Sequence, residues 1–238
     1  MWPSGRNLSA ILQNLGDQAK TLLWHTPLAE PAFTWRHRRR SKKQIKAWMA
    51  RGEPAPPPHA IKAETLRQYA SAYRLRTLVE TGTQRGAMLA ALKHDFSSLV
   101  SVELSPRHHD FARRRFRTAP HIELILGDSA AVLPAILARL SEPALFWLDG
   151  HYNPGQAPAG APVSPLLTEL THLFAAARLG HVIIIDDVRL FRERTGYPEL
   201  STVLALIEQD GGWDVLIQDD SLRLTPARPC PVACRSSR

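Results

Sequence analysis

Cysteine is scarce in this chain: only Cys230 and Cys234 occur among 238 residues. Both lie in a closing stretch rich in Pro, Arg and Ser, and one Cys-x3-Cys pair without nearby histidine makes a poor zinc signature, so residues 227–238 read as a polar tail with two reduced thiols. Long apolar runs are missing too. Gln13, Asn14, Asp17 and Lys20 interrupt the opening stretch, which removes a signal-peptide core, and no later run is long enough to span a bilayer. A soluble, cytoplasmic protein is the expectation. No Ser/His/Asp or Cys/His constellation stands out, and there is no internal repeat. Acidic residues are the minority, 22 Asp+Glu against 30 Lys+Arg for a formal net charge of +8. Much of that excess sits in one run, Arg36-His-Arg-Arg-Arg-Ser-Lys-Lys43, so overall basicity says little about a nucleic-acid substrate.

What is present is enough apolar residue, 44%, to bury one sizeable core and leave an appendage. Leu8, Ile11, Leu12, Leu15, Ala19, Leu22 and Leu23 recur at helical spacing, predicting an amphipathic helix over 7–24 whose mate is open and which offers a route to a homo-oligomer. The basic run follows, and Glu53-Pro-Ala-Pro-Pro-Pro-His59 supplies a stiff non-helical spacer. Residues 1–59 therefore read as an extension and 60–226 as the main domain.

From residue 60 helices and strands alternate. Strands are expected at Thr77 to Glu80, Leu99 to Glu103, Ile122 to Leu126, Ala144 to Asp149 and His181 to Asp186, with helices between them. This predicts a doubly wound, mostly parallel α/β sheet with helices on both faces. The ending differs: a helix at Leu200 to Gln209, then Trp213 to Gln218, the turn Asp219-Asp220, and Ser221 to Thr225, which reads as a hairpin with an antiparallel last strand.

Each strand end carries chemistry. The first runs into Leu78-Val-Glu-Thr-Gly-Thr-Gln-Arg-Gly86, where Gly82 and Gly86 flank the turn into a helix and let a ligand approach its amides, or serve tight helix–strand packing. The middle glycine of a Gly-x-Gly-x-x-Gly dinucleotide fingerprint is absent, which disfavours pyrophosphate. Glu80 is positioned by that turn. Arg85 either meets a ligand carboxylate or is an exposed first-turn arginine. Glu103 stands where a carboxylate accepts both hydroxyls of a ribose, or is a solvated strand-end acid. Asp128, in Leu126-Gly-Asp-Ser129, stands where an acid accepts from an adenine amino group; Ser129 beside it lacks a nucleophile-elbow context. Three successive parallel strands thus send acids to one edge.

Phe146-Trp-Leu-Asp-Gly-His151 and Ile183-Ile-Ile-Asp-Asp187 aim further carboxylates at the same crevice. Asp149, Asp186 and Asp187 repel one another unless a cation neutralises them, and they are the hard oxygen ligands that Mg²⁺ prefers. The alternative is that Asp187 caps the next helix while Asp186 faces solvent. His151, two residues after Asp149, is the candidate general base, or a surface histidine. The loop Tyr152 to Val163 is either a lid over an acceptor or a passive connection.

On these residues the chain resembles the class I S-adenosylmethionine-dependent methyltransferases. It is most similar to the macrocin O-methyltransferase family, whose Glu-Thr-Gly-x-x-Arg-Gly motif matches Glu80-Thr-Gly-Thr-Gln-Arg-Gly86. The resemblance covers roughly 62 to 226 in order of elements. It implies a seven-stranded Rossmann-like sheet and S-adenosylmethionine held by Glu80, Gly82, Gly86, Glu103, Asp128 and Ser129. It also implies magnesium on Asp149, Asp186 and Asp187, with methyl transfer to a small hydroxylated acceptor. His151 occupies the place of the base in some members, where an acid is common. Two rival expectations remain: an RNA or protein methyltransferase using the basic run, which also suits an anionic membrane surface, and a non-catalytic module that kept the fold.

Overall fold

The computed structural model describes residues 42–150, 164–192 and 196–227. The expected helix at 7–24, most of the basic run, His151, the loop Tyr152 to Val163 and the two cysteines lie outside the described residues. The chain divides into two units, Met1–Ala50 and Arg51–Arg238. In the first, residues 42–49 are helical, so the end of the basic run is part of a helix. Its Lys, Gln and Ala residues favour that state.

In the second unit, residues 53–58 are non-helical, as the proline run demands, and helix α1 (His59–Ala72) starts directly after Pro58. There follow β1 (Thr77–Thr81), α2 (Ala87–Leu92), β2 (Ser98–Glu103), α3 (Pro106–Arg115), β3 (Ile122–Leu126), α4 (Ser129–Arg139) and β4 (Leu145–Leu148). After them come α5 (Leu166–Ala175), β5 (Val182–Ile185), α6 (Leu200–Asp210), β6 (Trp213–Gln218) and β7 (Ser221–Pro226). The seven strands form one sheet in the order β3-β2-β1-β4-β5-β7-β6. The first five are parallel, and β7 runs antiparallel between β5 and β6.

The two faces follow from the twofold alternation of strand side chains. Val79, Val100, Val102, Phe146, Leu148, Ile183 and Ile185 pack with α4, α5 and α6 on one side. On the other, Leu78, Leu99, Leu145, Trp147, Val182 and Ile184 pack with α1, α2 and α3. Both faces being covered explains why β4 and β5 are buried throughout and why they read as unbroken apolar runs. Each large apolar side chain so buried contributes roughly 1.5–3 kcal/mol.

The chain enters the sheet at β1 and then winds first toward β3 and later toward β6. β1 and β4 therefore flank the point where the winding reverses, and the crevice beyond their carboxyl ends is where ligands bind in open α/β sheets. Gly82 closes that point. Its φ is +92°, and a Cβ there meets the Asp149 carbonyl oxygen at 2.6 Å. Gly82→Ala is expected to cost at least about 2 kcal/mol. Gly52→Ala, at φ +77° with nothing within 4 Å, should cost only the backbone strain of about 1 kcal/mol. Urea unfolding of the two variants measures the difference, which equals the cost of the close approach.

His181 is fully buried, with Nδ1 accepting from the Ala144 amide at 3.1 Å and its ring edge-on to Phe146. Burial pushes its pKa down to about 4. A depressed histidine contributes stability that is present above the unfolded value near 6.5 and is lost as pH falls toward 4. The expected outcome is that thermal stability falls over that window in the parent, and less steeply in His181→Gln.

Candidate active site

The ladder continues one residue past the strands and places the site. Gly82 N donates to Val102 O, Asp149 N to Thr81 O at 3.1 Å and Asp186 N to Leu148 O at 3.0 Å. Asp149 and Asp186 thus leave adjacent strands at the same level. Asp187 has φ +60°, a left-handed turn that carries its side chain back toward the cleft. It starts the following 3-10 turn without a capping hydrogen bond, and Asp186 is 3% exposed. Capping and solvent exposure are therefore not what these two acids do. Oxygen atoms of Asp149, Asp186 and Asp187 all lie within 4.8 Å of one another.

A cation held by two of these acids is one the sequence reading missed. Lys62, from α1, donates from Nζ to Asp186 Oδ2 and, at 3.2 Å, to Asp187 Oδ1. Arg189 holds the far side, reaching Asp187 Oδ1 at 2.6 Å and also Asp220 Oδ2. The carboxyls respond differently to these neighbours. Burial, reinforced by Asp186 and Asp187, pushes Asp149 well above the usual carboxylate range. Burial also lifts Asp186 to about 6, with Lys62 opposing. For Asp187 burial is outweighed by Lys62 and Arg189, so it sits below its ordinary value. In Lys62 the same acids outweigh burial and raise the ammonium.

The three acids of the earlier strands lie along the other half of the edge. Glu80 is buried and its Oε2 accepts from Ser101 Oγ at 2.6 Å, and Ser101 in turn contacts Thr83 Oγ1 at 2.6 Å. Burial pushes Glu80 up to about 8, with the Glu103 charge adding to it. Glu103 accepts from Gln84 N at 2.6 Å and from Ser105 N at 2.8 Å, fastening the glycine loop to the start of α3. Asp128 caps α4, with Oδ1 accepting from Ala130 N at 3.0 Å. Each therefore has a structural partner, while carboxylate oxygens retain further lone pairs for a ligand. At Gly86 the direction of a Cβ is filled by the Phe116 ring at 2.4 Å. Protein thus fills the Cβ side of both loop glycines. Arg85 is exposed and lies over the Phe111 ring.

Beside the acids a pocket is lined by Leu148, Leu166, Ile185, Phe191, Tyr197 and Glu169. Phe191 and Tyr197 stack at 5.6 Å. Glu169 was missed as well; it is 1% exposed, and among the described residues no hydrogen bond reaches its Oε1. Its signal was legible: Leu166, Glu169, Leu170 and Leu173 form the inward stripe of α5, so an acid there is a buried acid.

No family model matches the sequence, and no curated protein matches it. Solved structures do match. An O-methyltransferase from Bacillus cereus in complex with SAH aligns with a TM-score of 0.52 at 17% identity, over 77% of this chain and 89% of that one. TomG from Streptomyces achromogenes, an O-methyltransferase involved in tomaymycin synthesis and solved with SAM, aligns at 0.52 and 18% identity, over 78% and 89%. SAH-bound PaMTH1, a methyltransferase from Podospora anserina, aligns at 0.54 and 14% identity, over 96% and 99%. At such identities the likeness is one of fold. The fold is the one these solved methyltransferases share. Among the described residues no helix is long and apolar enough to cross a membrane.

Burial holds Glu169 at about 7. A carboxyl raised in the folded state contributes stability that is present below its unfolded value near 4.5 and is lost as pH rises through 7. Glu169→Gln should accordingly gain stability relative to the parent as pH rises from 4.5 to 8, by up to roughly 3 kcal/mol. Urea titrations at several pH values measure it, and parallel curves would contradict a buried titrating acid.

Proposed function

We propose that this chain is an S-adenosylmethionine-dependent methyltransferase that methylates a hydroxyl of a small acceptor, of sugar or natural-product type, with magnesium assisting. The observation that carries the reading is the meeting of Asp149, Asp186 and Asp187 beside the glycine loop, at the point where the winding of the sheet reverses.

The residues fit both groups. Glu80, Glu103 and Asp128 give three carboxyls along the half of the edge assigned to the adenosyl cofactor, with Gly82, Gly86 and Ser129 in the turns. For the ion, the donor set is three hard carboxylates, and Asp186 Oδ1 is buried with no hydrogen-bond partner among the described residues. Bound S-adenosylmethionine supplies an electrophilic methyl group, and a bound magnesium ion supplies charge that lowers the pKa of an acceptor hydroxyl.

The chain's own residues do the rest. Phe191 and Tyr197, with Leu148 and Ile185, wall off water and hold the acceptor's carbon skeleton. His151, which directly follows the pocket residue Gly150 in sequence, is the proposed base for the hydroxyl proton. Loss of that proton to His151 would leave the hydroxyl oxygen to take the methyl group that bound S-adenosylmethionine would supply, with S-adenosylhomocysteine as the co-product.

Purified protein, labelled cofactor and a panel of vicinal diols and glycosides test this. Methyl transfer is expected, with chelation and Asp149→Ala each lowering it at least about hundredfold. Undiminished turnover in excess chelator would rule out the magnesium.

A further inference from the structure

We propose that Lys62 is a tethered cation standing in the position a divalent ion takes among Asp149, Asp186 and Asp187, so that metal loads by exchange, ammonium out and metal in. The proposal rests on the magnesium reading above and adds a residue to it.

The geometry is that of a shared focus. A single nitrogen bonds two carboxylates that leave β5 as neighbours, at Asp186 Oδ2 and Asp187 Oδ1, and the third acid, Asp149, adds to the attraction. The Lys62 side chain is 16% exposed and that of Asp186 only 1%. Two positive ions cannot both use those oxygens at close range without repelling each other. In this medium, a unit charge 4 Å from a divalent ion is a large penalty.

The second cation of the cluster is held differently. Arg189 bridges Asp187 and Asp220 while its own amide donates to Asp220 Oδ1 at 2.8 Å, so main chain and side chain are fixed to the same turn. Lys62 reaches in from another element, 124 residues away in sequence from Asp186, on a flexible stem that can swing out with no backbone change. Of the two, Lys62 is the one built to leave. While it is in place the carboxylates stay gathered, so the site is formed before the ion arrives.

The test is binding of Mn²⁺, a paramagnetic probe for magnesium sites, followed by electron paramagnetic resonance on the full chain as parent, Lys62→Met, Lys62→Arg and Asp149→Asn. Exchange predicts that Lys62→Met binds Mn²⁺ at least about tenfold more tightly than the parent, that Lys62→Arg does not, and that Asp149→Asn weakens binding. Mn²⁺ should also raise the Tm of Lys62→Met by more than it raises that of the parent, a reading that survives if the variant is less stable. Affinity in Lys62→Met equal to or weaker than the parent's would overturn exchange alone. Absence of Mn²⁺ binding in every folded form would overturn the magnesium reading and exchange together.

Discussion

Gathering Asp149, Asp186 and Asp187 within 4.8 Å of one another is electrostatically costly, and the rest of the site depends on how that cost is offset. Charges of one sign at such range, out of water, repel by several kcal/mol unless a counter-charge or a proton intervenes. Lys62 and Arg189 supply the counter-charge on Asp186 and Asp187. Burial, with Asp186 and Asp187 nearby, lifts Asp149 well above the usual carboxylate range. An edge so rich in acid is a place that favours a divalent ion over a single ammonium. The same richness suits a sulfonium cofactor nearby, since Glu80 and Glu103 continue the acidic edge across β1 and β2.

Rigid backbone makes this possible. The main-chain ladder runs on through Asp149 and Asp186, so neither acid can withdraw without breaking a sheet hydrogen bond. Gly82 brings the glycine loop against the Asp149 carbonyl, and Glu103 ties that loop to α3 through Gln84 and Ser105. The glycine-loop half of the crevice and the half that holds Asp149, Asp186 and Asp187 are thus joined through backbone contacts. Those contacts exist because β1 and β4 are neighbours across the switch in winding.

Most of the architecture was legible in the sequence because its signals are local. Apolar runs ending in an acid, such as Ile183-Ile-Ile-Asp-Asp187, mark buried parallel strands and the edge at which they stop. The strands fall where periodicity puts them, including the final hairpin. The meeting of the three acids also followed, since strand ends in a parallel sheet share an edge. What did not follow is tertiary. Lys62 belongs to no motif, and its only signal is its place four residues before Leu66 on the inward face of α1, where a charge must find a partner. Arg189 needed knowledge that Asp220, in a hairpin turn, folds back beside Asp187. Glu169 had a legible signal, an acid within the apolar stripe of α5, but belongs to no motif. Asp128 and Glu103 were read as ligand groups, and the structure adds the backbone amides each one already holds.

The central claim is that acids from neighbouring strands form one cleft that grips an adenosyl cofactor. Calorimetry of the folded protein with S-adenosylhomocysteine addresses it most directly. Saturable binding at one site, weakened at least about tenfold by Glu103→Ala, is the predicted result. A folded chain that gives no heat with this ligand, or binds it equally well without Glu103, would contradict the account.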